Sequence, residues 1–134
     1  MDVTHVTPID IAVSGLQAQS RRLNVIANNI ANAHTSRGRR GEPYRRQQVV
    51  LETTDRALSG VTVHGIVEDM ATDFHRIYQP GHPDADAEGF VLLPNVELPT
   101  EMIQMVSASR AYEANAAVLK RYQELIDATI ELLR

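Results

Sequence analysis

Two runs of heptad-spaced apolar residues sit at opposite ends of this chain, and too little lies between them to cover both. Ile9, Leu16, Leu23 and Ile30 recur every seven residues, with Ala12 or Val13, Ile26 or Ala27, and Ala33 between them. Leu98, Met105, Tyr112, Leu119, Ile126 and Leu133 repeat the spacing, with Met102, Val106, Ser109, Ala116 and Ile130 in the partner positions. Apolar residues at this interval form a stripe along one side of an α-helix. The spacing predicts helices over 8–33 and 100–133, the second about 50 Å long at about 1.5 Å per residue. Thr7, Pro8 and Asp10 read as a start signal for the first helix, and Pro99 and Thr100 before Glu101 for the second. Gly15 costs the first helix about 1 kcal/mol relative to Ala and is expected to mark a close helix–helix approach.

The middle differs in kind. His34 to Pro43 is a polar loop with Gly38, Gly41 and three arginines. Tyr44–Thr54, Val61–Val67, Phe74–Tyr78 and Gly89–Leu93 read as short strands, and Pro80-Gly81 and His82-Pro83 as turns. The expected fold is mainly α with a small β region. Residues 1–34 and 99–134 make a helical domain whose long helices pair as an antiparallel coiled coil, and 35–98 make a β-rich insert with loops. The insert cannot cover both stripes, so the helices must pack on each other, on other subunits, or on both.

Composition narrows the function. With 134 residues, one modest domain is expected. Aromatics are 4% and Trp is absent, so Ala, Val, Ile and Leu must do the packing. A net charge of −4 disfavours a nucleic-acid partner. No Cys is present, which excludes disulfides, thiolate catalysis and zinc–sulfur sites. Met1–Asp10 lacks a basic start followed by an apolar run, so no secretory signal peptide is read, and no stretch reaches membrane-spanning length.

Candidate sites are few. Asp84, Asp86, Glu88 and Gly89 imitate the start of a calcium loop, but position 12 is Asn95 rather than Glu. An acidic turn without metal is the expectation. The histidines 5, 34, 64, 75 and 82 show no helical ligand spacing, although His75 and His82 flank a turn. GxSxG, SxxK, the Walker motif and GxGxxG are all absent. No catalytic, cofactor or metal residue is assigned. Arg37, Arg39, Arg40, Arg45 and Arg46 form a basic cluster around a turn, candidate contacts for a neighbouring subunit or an anionic surface. Asn28, Asn29 and Asn32 are costly within a helix. They either fray its end or fix register against a partner backbone, as buried amides do in coiled coils.

The run Leu23-Asn-Val-Ile-Ala-Asn-Asn-Ile-Ala-Asn-Ala-His-Thr35 resembles the N-terminal signature of the flagellar rod, hook and hook-associated protein family. Pro43-Tyr44-Arg45, the stretch from Tyr78 to Val96, Glu101-Met102, and Ser107 through Asn115 extend the likeness over nearly the whole chain. It adds Pro80, Gly81, Pro83, Gly89, Pro94, Asn95 and Asn115 to the motif positions. Phe90 stands where Tyr is usual, and the loop over 34–40 is unusually rich in His and Arg.

The resemblance implies a non-enzymatic subunit of the proximal rod, which stacks helically to transmit torque from motor to hook. It implies export by the flagellar type III apparatus without signal cleavage. It also implies terminal helices that pair and line the axial channel. Implied neighbours are further copies and rod proteins of the FlgB, FlgF and FliE types. Two other readings stay open: a helical-hairpin adaptor that meets an anionic surface through its Arg-rich loop, and a metal-dependent enzyme using His75, His82, Asp84 and Asp86.

Overall fold

The computed structural model describes residues 7–38, 40–53 and 60–133. The order is α1 (Pro8–Ala31), β1 (Gln47–Thr53), β2 (Val61–Glu68), β3 (His75–Tyr78), β4 (Phe90–Leu93) and α2 (Leu98–Leu132). Helix α1 starts as its sequence requires. Thr7 Oγ1 accepts from the Asp10 backbone N–H, and the Asp10 carboxylate accepts from the Thr7 backbone N–H and hydroxyl. This reciprocal box satisfies donors that the first turn leaves without helical partners. The same bonds, that of the Thr7 hydroxyl foremost, hold the Asp10 carboxyl below its ordinary pKa. Helix α2 starts earlier than its sequence suggests: Glu97 is the N-cap, and Pro99 lies inside the first turn, where a missing N–H costs nothing. Thr100 therefore does not cap; its hydroxyl donates to the Glu97 carboxylate.

The β region is two separate antiparallel hairpins. In β1–β2, Gln47 pairs with Glu68 and Thr53 with Val61. The register slips where Val50 pairs with Gly65 and Leu51 with Val63, so His64 is the extra residue of a bulge. This hairpin lies on α1, where Ser14 Oγ accepts from the Val61 N–H and donates to the Ile11 carbonyl. In β3–β4, Tyr78 faces Phe90 across the ladder, ring edge to ring face at 5.3 Å.

The helices pack on each other through small and polar residues. Ala12, Ala18, Val25, Ile26 and Asn29 are buried on α1, and Glu101 and Ala108 on α2. The heptad residues Ile9, Leu16, Leu23 and Ile30 are only half-buried. They flank the contact and do not fill its centre. The reason is the close approach at Gly15, where a Cβ would lie 2.7 Å from Asn115 Nδ2. Helices this close admit Ala and Gly between them and push larger side chains to the edges. On α2, Leu98, Met105 and Leu119 are half-buried, whereas Tyr112, Ile126 and Leu133 are exposed.

Gly15→Leu is expected to lower stability by about 1–3 kcal/mol through overpacking, and Asn115→Ala in the same chain should recover part of it. Gly15→Ala should be nearly neutral, because a helix-propensity gain of about 1 kcal/mol offsets a shift of the Asn115 side chain. Thermal unfolding of wild type, these three variants and Asn115→Ala alone checks this; additive losses would count against the contact.

Candidate assembly surface

Asn29 is the one amide of the N-terminal cluster that the fold buries. Its Nδ2 donates to the Gln47 carbonyl at 2.8 Å and to Glu101 Oε2 at 3.0 Å. Its Oδ1 accepts from the Gln47 N–H at 2.9 Å and from the Tyr44 hydroxyl at 2.8 Å. The amide's four hydrogen-bonding positions are thus filled. Its partners lie on β1, on the segment before it and on α2 of its own chain. Asn28 is exposed, and Asn32 turns back to donate to the Asn28 carbonyl while receiving the Thr35 hydroxyl.

Glu101 completes the junction. It has no solvent exposure, and its second oxygen accepts from Arg46 Nε. Arg46 also lies 3.9 Å from Asp69, and its backbone N–H donates to Asn95 Oδ1. Asn95 is buried and donates to the carbonyls of Asp69 and Thr72. One polar cluster therefore ties α1, β1, the turn after β2, the segment before α2, and α2 itself. Burial raises the Tyr44 phenol pKa, and the nearby charges of Glu101 and Glu68 push it the same way. Asp69 caps its turn by accepting from Thr72 Oγ1 and from the N–H groups of Ala71 and Thr72, and these bonds, the Thr72 hydroxyl first, lower its pKa.

The arginine cluster is engaged within the chain. Arg37 pairs with Asp84, Arg40 with Glu68, and Arg46 with Glu101. Arg45 lies over the Phe74 ring at 4.3 Å and donates to the Asp69 carbonyl. Arg39 falls outside the described residues. The acidic turn is engaged too. Asp84 accepts from the Ser36 hydroxyl, and Asp86 and Glu88 both grip Arg76, which lies over Phe90. Among the described residues no group of three His, Asp or Glu side chains gathers as a metal site would require. His82 Nδ1 accepts from the Asp84 N–H. Gly89 has φ +84°, and a Cβ there would press on Tyr78 and Pro80. Pro94 is buried beside Asn95, whereas Pro80, Gly81 and Pro83 lie on the exposed turn.

Apolar residues stand uncovered on the outer side of α2, as others do on the two hairpins. Met102, Ile103 and Val106 are 62%, 72% and 52% exposed, and with Ser107 and Arg110 they line a shallow hollow. Beyond Tyr122 every described residue of α2 is exposed, including Leu125, Ile126, Ile130 and Leu132. A helix with apolar residues on more than one side needs cover on more than one side, and α1 supplies only one. Of the heptad residues expected on α2, Leu98, Met105 and Leu119 are half-buried while Tyr112 and Ile126 are exposed, and the outer patch joins Met102 and Val106, expected as partner positions, with Ile103. Among the described residues no helix is long and apolar enough to cross a membrane.

Residues 9–37 match the family model described as flagella basal body rod protein, and residues 87–132 match the flagellar basal body rod FlgEFG protein C-terminal model. The chain is 46% identical to the flagellar basal-body rod protein FlgC of Yersinia enterocolitica over 126 residues, covering 92% of this chain and 93% of that one. It is 38% identical to FlgC of Borreliella burgdorferi, with 94% and 95% covered, and 35% identical to FlgC of Bacillus subtilis, with 92% and 95% covered.

Asn29→Ala should orphan the Gln47 backbone groups and the Tyr44 hydroxyl, at about 1–3 kcal/mol for each group left buried and unpaired. Asn28→Ala should be neutral or slightly stabilising, since Ala is the better helix former. Chemical denaturation separates the two; equal effects would remove Asn29 from its central place. Asp69 also sets an acid dependence. Its folded pKa is below 3.8, so its contribution is present above the unfolded value and is lost as pH falls through the folded one. Asp69→Asn should flatten the stability profile on the acid side, as measured by unfolding between about pH 2 and 5, from about two units below the unfolded carboxylate pKa to about one above it.

Proposed function

We propose, from the premise that this chain belongs to the FlgC family of flagellar basal-body rod proteins and is a structural subunit of the rod, that it builds the proximal rod by finishing its packing on its neighbours. The observation that carries this is the uncovered outer side of α2. Met102, Ile103 and Val106 are too exposed to help the lone chain fold, and burying each would be worth about 1.5–3 kcal/mol. A subunit that stacks helically gains that energy only in the assembly.

In this reading 1–34 and 99–134 are the rod-forming domain, its helices pairing as an antiparallel coiled coil. Two contacts support that sense: Gly15 meets Asn115 near the start of α1, and Asn29 meets Glu101 near its end. Residues 35–98 form the insert, which the Asn29–Arg46–Glu101 junction fastens to both helices so that torque passes from one to the other. Its stiff turns at Pro80-Gly81 and His82-Pro83 suit the same purpose. Its neighbours are further copies and rod proteins of the FlgB, FlgF and FliE types. It reaches them through the flagellar export apparatus without a cleaved signal peptide, and it needs no cofactor and catalyses no reaction.

Ile103→Asp tests the reading. As a surface change it should move monomer stability by no more than about 0.5 kcal/mol, and the chain should still be exported. Rods should fail to form, because an unpaired carboxylate in the packed interface costs several kcal/mol. Wild-type swimming by cells carrying this variant would sink the proposal, and a density map of purified basal bodies would show whether the chain occupies the proximal rod.

A further inference from the structure

The two ends of α2 carry complementary halves of one contact. At the start, Met102, Ile103 and Val106 form an exposed apolar face, and Arg110 lies one turn beyond Val106 on the same side. At the far end, Ile126 and Ile130 form a second exposed apolar stripe, bordered by Asp127 and Glu131, which are themselves one turn apart. Among the described residues, Arg110 forms no ion pair, and neither do Asp127 and Glu131. This sets them apart from Arg37, Arg40, Arg46 and Arg76, each of which is paired inside its own chain.

We propose that the end of α2 in one copy of the chain packs on the Met102–Ile103–Val106 face of a second copy, with Arg110 meeting Asp127 or Glu131. The inference rests on the rod reading and names the occupant of its uncovered face. Charge complementarity selects that occupant: an apolar face edged by an unpaired cation matches an apolar stripe edged by unpaired carboxylates. Both halves occur on every copy, at opposite ends of one helix. A contact between unlike surfaces leaves one free half on each partner, so the arrangement stays open and propagates as a helix. A self-complementary patch would close into a dimer and stop.

The chain has no cysteine, so single cysteines report contacts on a clean background. Val106→Cys and Ile130→Cys are placed in separate full-length chains, both are expressed in the same cells, and basal bodies are purified under mild oxidation. The expected product is a disulfide-linked pair at twice 14.9 kDa, formed when both chains are present and not with either alone. Arg110→Glu should reduce its yield about tenfold or more, since close interfacial charge pairs couple at about 1.5 kcal/mol or above. Asp127→Arg with Glu131→Arg in the partner chain should restore it. Circular dichroism of each variant guards against misfolding, and Arg110→Gln serves if Arg110→Glu does not fold.

Basal bodies that contain the chain but give no linked pair would overturn the proposal. So would a linked product of any other mass, which would place a different rod protein on this face and leave the rod reading intact. Basal bodies that lack the chain altogether would overturn both readings.

Discussion

A carboxylate with no exposure to water must be compensated inside the chain, and Glu101 sets that condition for this fold. Its two oxygens are taken by Arg46 and Asn29. Arg46 arrives from the loop ahead of β1, so the insert has to lie against the start of α2. Asn29 arrives from the last turns of α1 and holds Gln47 by both backbone groups, which sets the entry of β1. Removing one partner of such a buried pair typically costs about 3–5 kcal/mol, because the other charge is left without compensation. A cluster of this kind specifies one arrangement more than it adds net stability. The apolar core around it, mostly Ala and Val with no buried aromatic ring among the described residues, has little power to specify by shape.

The same economy of large residues explains the two sides of α2. The inner side meets α1 through Glu101 and Ala108 at a heptad spacing, with Asn115 and Tyr122 continuing it half-buried. Larger residues there would separate the helices and break the Gly15–Asn115 approach. Met102, Ile103 and Val106 therefore stand outside, exposed in the lone chain.

Helix existence, strand existence and the order of elements were legible from sequence because they depend on local signals. Thr7, Pro8 and Asp10 predicted a cap that formed as expected, and the four short strands fell within one to three residues of their predicted spans. The centre of the helix pair was not legible, since heptad spacing identifies the side on which large residues recur and cannot register that Gly15 draws the helices together there. The junction was half legible. Asn29 stood out because three amides are expensive in a helix, yet its partners lie 15, 18 and 72 positions away. Arg46 read as one of five loop cations, and only the tertiary fold distinguishes it from Arg37 and Arg40. Glu101 read as a helix-start acid, and no local pattern marks a glutamate that will be fully buried.

Asn29 also limits how far a sequence of this kind can drift. The position demands a donor pair aimed at a carbonyl and a carboxylate, and an acceptor pair aimed at an amide and a phenol. Asp has the shape without the donors and would set a second negative charge against Glu101. Leu has the volume with neither donors nor acceptors. Gln has both, one methylene too far from the helix. None of these replacements meets the geometry, so this site should tolerate exchange far less than the exposed Asn28 beside it. Asn28 and Asn29 are the same residue type, adjacent in one motif, yet a comparison of sequences would be reading solvent at the first and a fixed hydrogen-bond pattern at the second.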